Sequence, residues 1–188
     1  MTVRFKEPTS ETWKIIQRIS FMERSFEFSF NDIFEKSHIS IEEIRKEIMR
    51  LVEFDYLVRH DSPYLEIIPN KMKNFAIHRQ NLTFEKKYEV LEISYDWYRV
   101  LTDEKAKPYG NDPILYVPRQ FEIIDKEEPS FWVTYIEEYG ERSATLPSWK
   151  KARLFDDFHD GKEIAINKFW KDIEKYYPST WVERNIKS

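Results

Sequence analysis

The sequence predicts an α+β protein built from two domains of different character. Apolar residues recur at helical spacing through much of the first half, whereas short strand patterns separated by Pro, Gly, Asn and Asp fill much of the second. All three glycines and six of the nine prolines lie after residue 100. We therefore expect a largely helical domain over 8–72, a basic linker over 73–86, and a small β-rich domain over 87–188 that ends in a helix.

Composition limits the classes of protein to consider. The 188 residues are 41% hydrophobic and 34% charged, which is an ordinary globular balance. There is no cysteine, so disulfides, thiolate metal sites and a cysteine nucleophile are excluded. The polar start Met1–Glu11 has no apolar core of a signal peptide, and the longest apolar run is Ile114–Val117. We expect a cytoplasmic protein with no membrane segment.

Three helices and a hairpin are predicted in the first domain. A first helix spans about Ser10–Met22, with Ser10 as its cap, and its apolar face is formed by Trp13, Ile16, Ile19 or Ser20, and Phe21. The alternation of Phe26–Phe30 predicts a short strand. A short helix follows through Ile33–Lys36, capped by Ser29 or Asn31. The third helix begins at Ser40, which stands three residues before Glu43, as in a capping box.

The third helix has one apolar face and one free face. The apolar positions are Ile41, Ile44, Ile48, Leu51 and Val52. The free positions are Glu42, Arg45, Lys46, Met49, Arg50 and Glu53. Tyr56–His60, the turn Asp61–Pro63 and Tyr64–Ile68 then predict a two-stranded hairpin.

This order, with the segment ISIEEIRKEIMRLVEFDYLVRHDSPYLEIIP, resembles the winged helix-turn-helix superfamily over about Pro8–Lys71. The resemblance implies that the third helix enters the major groove of DNA and that the hairpin is the wing. The implied nucleic-acid-binding residues are Ser40, Arg45, Lys46, Arg50, Arg59, His60, Lys71 and Lys73. The alternative is that the helix charges are solvated and pair with Glu42, Glu43 and Glu47.

The second domain shows five strand candidates: Lys87–Ile93, Trp97–Leu101, Ile114–Val117, Gln120–Ile124 and Phe131–Tyr135. The runs YEVLEISYDWYRVL and LYVPRQFEIID resemble strands of an SH3-like barrel. A last helix is predicted over Lys162–Tyr177, with Asp160 and Glu163 as its capping box.

Aromatic residues near the ends of these strands predict a ligand groove, in which a proline-rich peptide, a methylated cation or a base could be held. The groove residues are Tyr95, Trp97, Tyr98, Tyr116 and Trp132. Core packing is the competing interpretation, because a small barrel needs several aromatic residues inside.

The cluster Asp156–Asp160 has the residue types of a metal or hydrolase site. The other histidines lie far away in sequence, so we interpret the cluster as an acidic turn before the last helix. We expect no catalytic residue, no metal and no cofactor, because no phosphate loop, dinucleotide motif or nucleophile elbow is present.

Two functions follow from these features. The first is a DNA-binding transcription regulator that binds double-stranded DNA through the winged helix, with the second domain making a homodimer or binding a partner. The net charge of −4 requires any DNA contact to be local. The alternative is a non-enzymatic adaptor in which the winged helix and the aromatic barrel bind proteins. An enzyme that acts on nucleic acid through Asp156–Asp160 is a more distant hypothesis.

Overall fold

A computed structural model of the chain describes residues 1–23, 27–59, 75–78, 81–103, 113–151 and 154–185. It is a mixed α+β structure, as the sequence predicts. The chain divides into two units. The host unit comprises Met1–Lys6 and Asn81–Ser188, and the inserted unit comprises Glu7–Gln80. No helix in these described ranges is long and apolar enough to cross a membrane.

The host unit begins with a strand that the sequence analysis does not predict, β1 (Thr2–Phe5). The chain then leaves the host unit, forms the inserted unit and returns at Asn81. The amide of Phe5 donates to the carbonyl of Lys86 at 3.0 Å, and the amide of Glu85 donates to the carbonyl of Phe5 at 2.7 Å. The points of exit and return therefore lie side by side in one hydrogen-bonded ladder.

Within the described residues, the inserted unit contains three helices and a three-stranded antiparallel sheet. Its elements are α1 (Glu11–Glu23), β2 (Glu27–Phe28), α2 (Phe30–Glu35), α3 (Ile41–Glu53), β3 (Leu57–Arg59) and β4 (Phe75–Ile77). The sheet has the order β2-β4-β3, so β4 is its central strand. The predicted positions of α1, β2, α2 and α3 agree with these bounds to within two residues.

The strand paired with β3 lies later in the chain than the predicted hairpin. Leu57 pairs with Ile77 and Arg59 pairs with Phe75, so β4 falls inside the predicted linker 73–86. The predicted partner strand Tyr64–Ile68 lies outside the described residues. A three-residue strand is too short to show a clear alternation in sequence, so β4 could not be recognised between its basic and polar neighbours.

The inserted unit has its own core between α1 and α3. Ile16 and Ile19 of α1 and Ile44, Ile48 and Leu51 of α3 are buried. Phe21, which the helical spacing assigned to the apolar face of α1, is 86% exposed. The buried face of α1 is defined by Ile15, Ile16 and Ile19, and Phe21 lies on a different side of the helix.

An ion pair joins the end of β4 to the end of α3. Nδ1 of His78 lies 2.8 Å from Oδ1 of Asp55, and the amide of His78 donates to the carbonyl of Tyr56 at 3.0 Å. The hydrogen bond with Asp55 raises the pKa of His78 above its ordinary value, although partial burial opposes this. Asp55 has a left-handed backbone (φ 60°), which turns the chain from α3 into β3.

The described part of the host unit contains seven further strands. They are β5 (Lys87–Glu89), β6 (Glu92–Ser94), β7 (Trp97–Leu101), β8 (Pro113–Tyr116), β9 (Phe121–Asp125), β10 (Val133–Ile136) and β11 (Arg142–Thr145). They form two antiparallel sheets with β1, of order β5-β1-β9 and β10-β11-β6-β7-β8. A 3₁₀ turn, Pro118–Gln120, joins β8 to β9. The segment 87–94 contributes β5 to one sheet and β6 to the other.

In the described residues four helices follow the strands: α4 (Pro147–Lys151), α5 (Leu154–His159), α6 (Glu163–Tyr176) and α7 (Pro178–Asn185). Their buried residues, Trp149 and Phe169 among them, form an apolar cluster with Leu101 of β7 and with Leu91, which lies between β5 and β6. Nε1 of Trp132 donates to the hydroxyl of Tyr177 at 2.7 Å, and that hydroxyl donates to the carbonyl of Leu91 at 3.2 Å. The end of α6 is thereby tied to the junction of the two sheets.

The predicted capping box of α6 is wrong. Its N-cap residue is Lys162, which makes no side-chain capping hydrogen bond. The preceding helix α5 occupies the residues that were interpreted as a turn, and its end is closed by amides of Gly161 and Lys162 bonding to Phe158 and Asp157. The amide of Asp160 donates to the carbonyl of Asp156 at 2.9 Å, so Asp160 belongs to the end of α5 and precedes the N-cap of α6.

Candidate functional site

Helix α3 has a fixed beginning. The hydroxyl of Ser40 accepts from the amide of Glu43 at 3.3 Å and donates to Oε2 of Glu43 at 2.7 Å. The amide of Ser40 donates to the same carboxylate at 3.2 Å, which completes the predicted capping box. These bonds from Ser40 lower the pKa of Glu43. Both side chains are therefore already engaged in capping the start of the helix.

Two cations stand next to each other on the exposed face of α3. Arg45 and Lys46 are exposed, whereas Ile44 and Ile48 on the opposite face are fully buried. Within the part of the chain that the structure describes, neither Arg45 nor Lys46 makes an ion pair or a side-chain hydrogen bond. These two side chains are available to an external anion.

Arg50 differs from these two cations because it is held by its own helix. Its Nε and one terminal nitrogen donate to Glu47 at 2.8 and 2.6 Å, and its guanidinium lies 5.2 Å from the centre of the Phe54 ring. Burial alone would raise the pKa of Glu47, but hydrogen bonds from Arg50 and Ser10 hold it below its ordinary value. Arg50 thus neutralises the acidic residue on its own side of the helix.

The remaining predicted nucleic-acid-binding residues are only partly described. Arg59 is the last residue of β3. His60, Lys71 and Lys73 lie outside the described residues. The candidate interface is therefore defined by α3 alone.

The five residues of the predicted aromatic groove do not line one surface. Tyr98 pairs with Tyr116 across β7 and β8, and both rings face Phe121 at 6.2 and 6.3 Å in the interior between the sheets. Trp97 points to the opposite face of β7, because side chains alternate along a strand. Trp132 is tied to Tyr177. Only Tyr95 and Trp97 are strongly exposed, at 45% and 41%.

A row of four residues crosses the face that carries Trp97. Trp97 of β7 is opposite Ser94 of β6, Ser94 is opposite Ser143 of β11, and Ser143 is opposite Tyr135 of β10. Two aromatic residues thus stand at the ends of the row, with two serines between them. Nζ of Lys150, on α4, lies 3.3 Å from the centre of the Tyr135 ring.

The next position inward on this face holds a buried ion pair. Nε of Arg99 lies 2.6 Å from Oε2 of Glu92, and both side chains are about nine-tenths buried. The Arg99 guanidinium also stacks on the Phe155 ring at 3.8 Å and donates to the carbonyl of Pro113. Burial raises the pKa of Glu92, while Arg99 opposes that shift. Because Arg99 contacts Glu92, Phe155 and Pro113 at once, the ion pair is held in a fixed position next to the row from Trp97 to Tyr135.

The cluster Asp156–Asp160 is largely helical. Asp156 to His159 form most of α5, which corrects the interpretation of the cluster as a turn. Asp157 is bonded to Lys162, and Asp160 lies 3.7 Å from the same ammonium group. Among the described residues, no group of three or more His, Asp or Glu side chains is arranged to hold a metal ion.

Sequence reasoning did not single out Tyr135 or Lys150, and it interpreted the paired carboxylates Glu137 and Glu138 as part of a solvated loop. The alternation of β10 puts Tyr135 and Glu137 on one face, and this was the available signal. Their relation to Trp97 depends on the sheet order, in which β11 lies between β10 and β6. That order is a non-local property and was not readable from the strand patterns.

Comparison with known proteins gave no match: no family model, no curated protein and no solved structure is similar to this chain. The chain thus presents two candidate surfaces, the exposed face of α3 and the row between Trp97 and Tyr135.

Proposed function

We propose that the protein is a DNA-binding regulator that contacts double-stranded DNA through α3 of the inserted unit. Two features support a winged-helix interpretation of this unit: the element order helix, strand, helix, helix, strand, strand, and the sheet order β2-β4-β3. In winged helix-turn-helix proteins the second helix of the motif, here α3, lies in the major groove.

The host unit has features that support the SH3-like resemblance. Its strands follow in the order β1, the segment 87–94, β7 and β8, and a 3₁₀ turn then leads into β9, which pairs back with β1. In this proposal the inserted unit binds DNA and the host unit makes a dimer or receives a partner. Dimerisation would help a weakly basic module, because two linked half-sites raise the overall affinity.

The observation that carries the DNA proposal is the pair of exposed, unpaired cations Arg45 and Lys46. The acidic residues of α3 differ in how far their negative charge offsets the positive charge of Arg45 and Lys46. Glu47 is paired with Arg50, so its negative charge is compensated locally, whereas Glu43 keeps its charge and is held at the helix start by Ser40. Phosphate contacts by Lys and Arg release counterions, which gives binding a steep dependence on salt.

The test is a titration of labelled random and genomic duplexes with the protein, in which fluorescence anisotropy measures binding at several salt concentrations. We expect Arg45→Glu with Lys46→Glu to weaken binding and to flatten the salt dependence by about one unit of slope per lost phosphate contact. Arg50 is left unchanged in this variant, because its replacement would also disturb Glu47 and Phe54.

A matched control is available on α1 of the same unit. Lys14→Glu with Arg18→Glu changes the net charge by the same amount at two exposed positions. We expect this control to bind like the wild type, apart from a small general effect of charge. The proposal fails if the wild type binds no duplex at low salt, or if the α3 variant keeps the affinity and salt slope of the control.

The adaptor function remains the second candidate, and one observation favours it. Phe34 of α2 and Met49 of α3 are 43% and 46% exposed, so the inserted unit presents apolar side chains that a protein partner could cover. A protein that binds no duplex, but loses a partner when Met49 is replaced by Glu, would support this candidate instead.

A further inference from the structure

The outer face of the five-stranded sheet is covered unequally. At one end Leu101 and Thr145 are buried, and Leu101 belongs to the apolar cluster under the helices. At the other end lie the β6–β7 turn with Tyr95 and Asp96, and the β10–β11 turn, which the amide of Glu137 closes by donating to the carbonyl of Glu141 at 2.8 Å. Both turns lie at the same end because β11 runs antiparallel to β6 and pairs Ser143 with Ser94.

Aromatic rings along this face are matched with cations in a regular way. The Phe155 ring carries the guanidinium of Arg99 at 3.8 Å, and the Tyr135 ring carries the ammonium group of Lys150 at 3.3 Å. Trp97, at the open end, has no cation over its ring among the described residues. Tryptophan is the ring with the strongest attraction for a cation, so the exposed position is the best suited of the three.

Acidic residues surround this open end. Asp96 lies in one turn, and Glu137, Glu138 and Glu141 lie in the other. Oε2 of Glu141 is shielded from solvent and has no hydrogen-bond donor in the part of the chain that the structure describes. The nearby Arg142 is bonded to Glu128 at 2.5 Å and lies on the opposite face by strand alternation. The surface therefore attracts cations and repels phosphate.

Tyr95 adds a further aromatic side chain at this edge. It is 45% exposed and adopts a left-handed backbone (φ 56°), where a bulky residue is strained and Gly, Asn or Asp is preferred. Its amide donates to the hydroxyl of Ser143 at 3.4 Å, which holds the turn over the serine pair.

We propose that the open end of this face binds a basic peptide segment of a partner protein, with a lysine ammonium group on the exposed Trp97 ring and the carboxylates of Glu137 and Glu141 attracting the positive charge of the segment. Ser143 is fully buried and Ser94 is partly buried, so the serines between the two aromatic residues do not form the contact surface. About 14 Å separate the backbones of β7 and β10, which is three strand spacings, so an extended segment of about four residues reaches from one strand to the other. This site lies in the host unit and does not depend on DNA binding by α3.

The probe is a fluorescein-labelled Gly-Ser peptide that contains two lysines, measured by anisotropy against the full chain. Its control is the same peptide with glutamine in place of lysine. We expect the lysine peptide to bind more tightly, and Trp97→Ala to weaken its binding about tenfold, in line with a desolvated cation–π contact. The control variant Phe21→Ala removes an exposed aromatic ring of the inserted unit, and it should leave the peptide affinity unchanged.

Glu137→Gln with Glu141→Gln provides a second variant that keeps Trp97. We expect it to weaken binding of the lysine peptide and to flatten its salt dependence. Thermal melts of both variants are compared with the wild type, so that if one fails to fold the other still decides. Equal binding of the two peptides, or wild-type affinity in a folded variant, would overturn the proposal. A labelled duplex that binds here and is lost with Trp97→Ala would overturn it too.

Discussion

At the scale of single residues, the His78–Asp55 pair shows how a local contact sets a pH dependence. It joins the central strand of the inserted sheet to the end of α3. Because the pKa of His78 is raised in the folded state, the charged form stabilises that state. This stabilisation is fully present below the pKa of an unfolded histidine and is lost as the pH rises through the higher folded pKa.

We therefore expect His78→Gln to lower the melting temperature of the protein more at pH 5.5 than at pH 8.5. The effect should be small, because the side chain is 42% exposed and solvent screens the pair. Differential scanning fluorimetry at the two pH values measures it. His38→Gln, which replaces an exposed histidine before α3, is the control. An equal loss at both pH values would show that the contact with Asp55 does not depend on the proton.

The positions of three tryptophans show how much of a residue's environment the sequence could predict. Trp13 was placed correctly on a buried helix face, because helical spacing is local information. For Trp97 and Trp132 the sequence left core and ligand surface open. Trp97 is 41% exposed and Trp132 is bonded to Tyr177, which lies 45 residues later in the chain. Contacts of that kind depend on tertiary packing.

At the scale of elements, agreement was best where the signals are local. Helix α3 was predicted at its observed start, because Ser40 and Glu43 form a complete capping box and Ile44, Ile48 and Leu51 share one face. Strand β7 was predicted at its observed bounds, Trp97–Leu101. Strands β1 and β4 were missed because they are short and their partners lie far away in sequence.

The central position of β4 leads to a prediction about where the inserted unit ends. A fragment of residues 7–80 should melt cooperatively, whereas a fragment of residues 7–74 should not, because β2 and β3 both pair with β4. An isolated pair of two- and three-residue strands is not stable in water. Thermal melts followed by circular dichroism compare the two fragments. Similar cooperative melts would mean that β4 is dispensable.

At the scale of the whole molecule, the inserted unit interrupts the host unit between two neighbouring positions of one ladder. Phe5 is bonded to both Glu85 and Lys86, so the host unit needs only a short connection at this point. Insertions of whole domains are tolerated at sites of this kind.

We therefore expect a protein in which residues 7–80 are replaced by a Gly-Ser linker of about four residues to fold. It should keep the strand pairs of β1 with β5 and β9, melt in one transition and bind the lysine peptide as the full chain does. Amide hydrogen exchange at Phe5 and Glu85 reports the ladder directly, because these two amides donate its hydrogen bonds. Rapid exchange at both amides, together with a broad melt, would show that the host unit depends on the inserted unit.

The same arrangement determines the order of events while the chain is being synthesised. β1 is synthesised before both of its neighbours, β5 and β9, which begin at Lys87 and Phe121, so it has no strand to pair with until Lys87–Glu89 has been made. The inserted unit is complete at Gln80 and can fold during this wait. Once it is folded, a compact body replaces a long flexible loop between Phe5 and Lys86, and the entropy cost of closing that ladder falls. Early folding of the inserted unit thereby prepares the nascent chain for closure of the host unit.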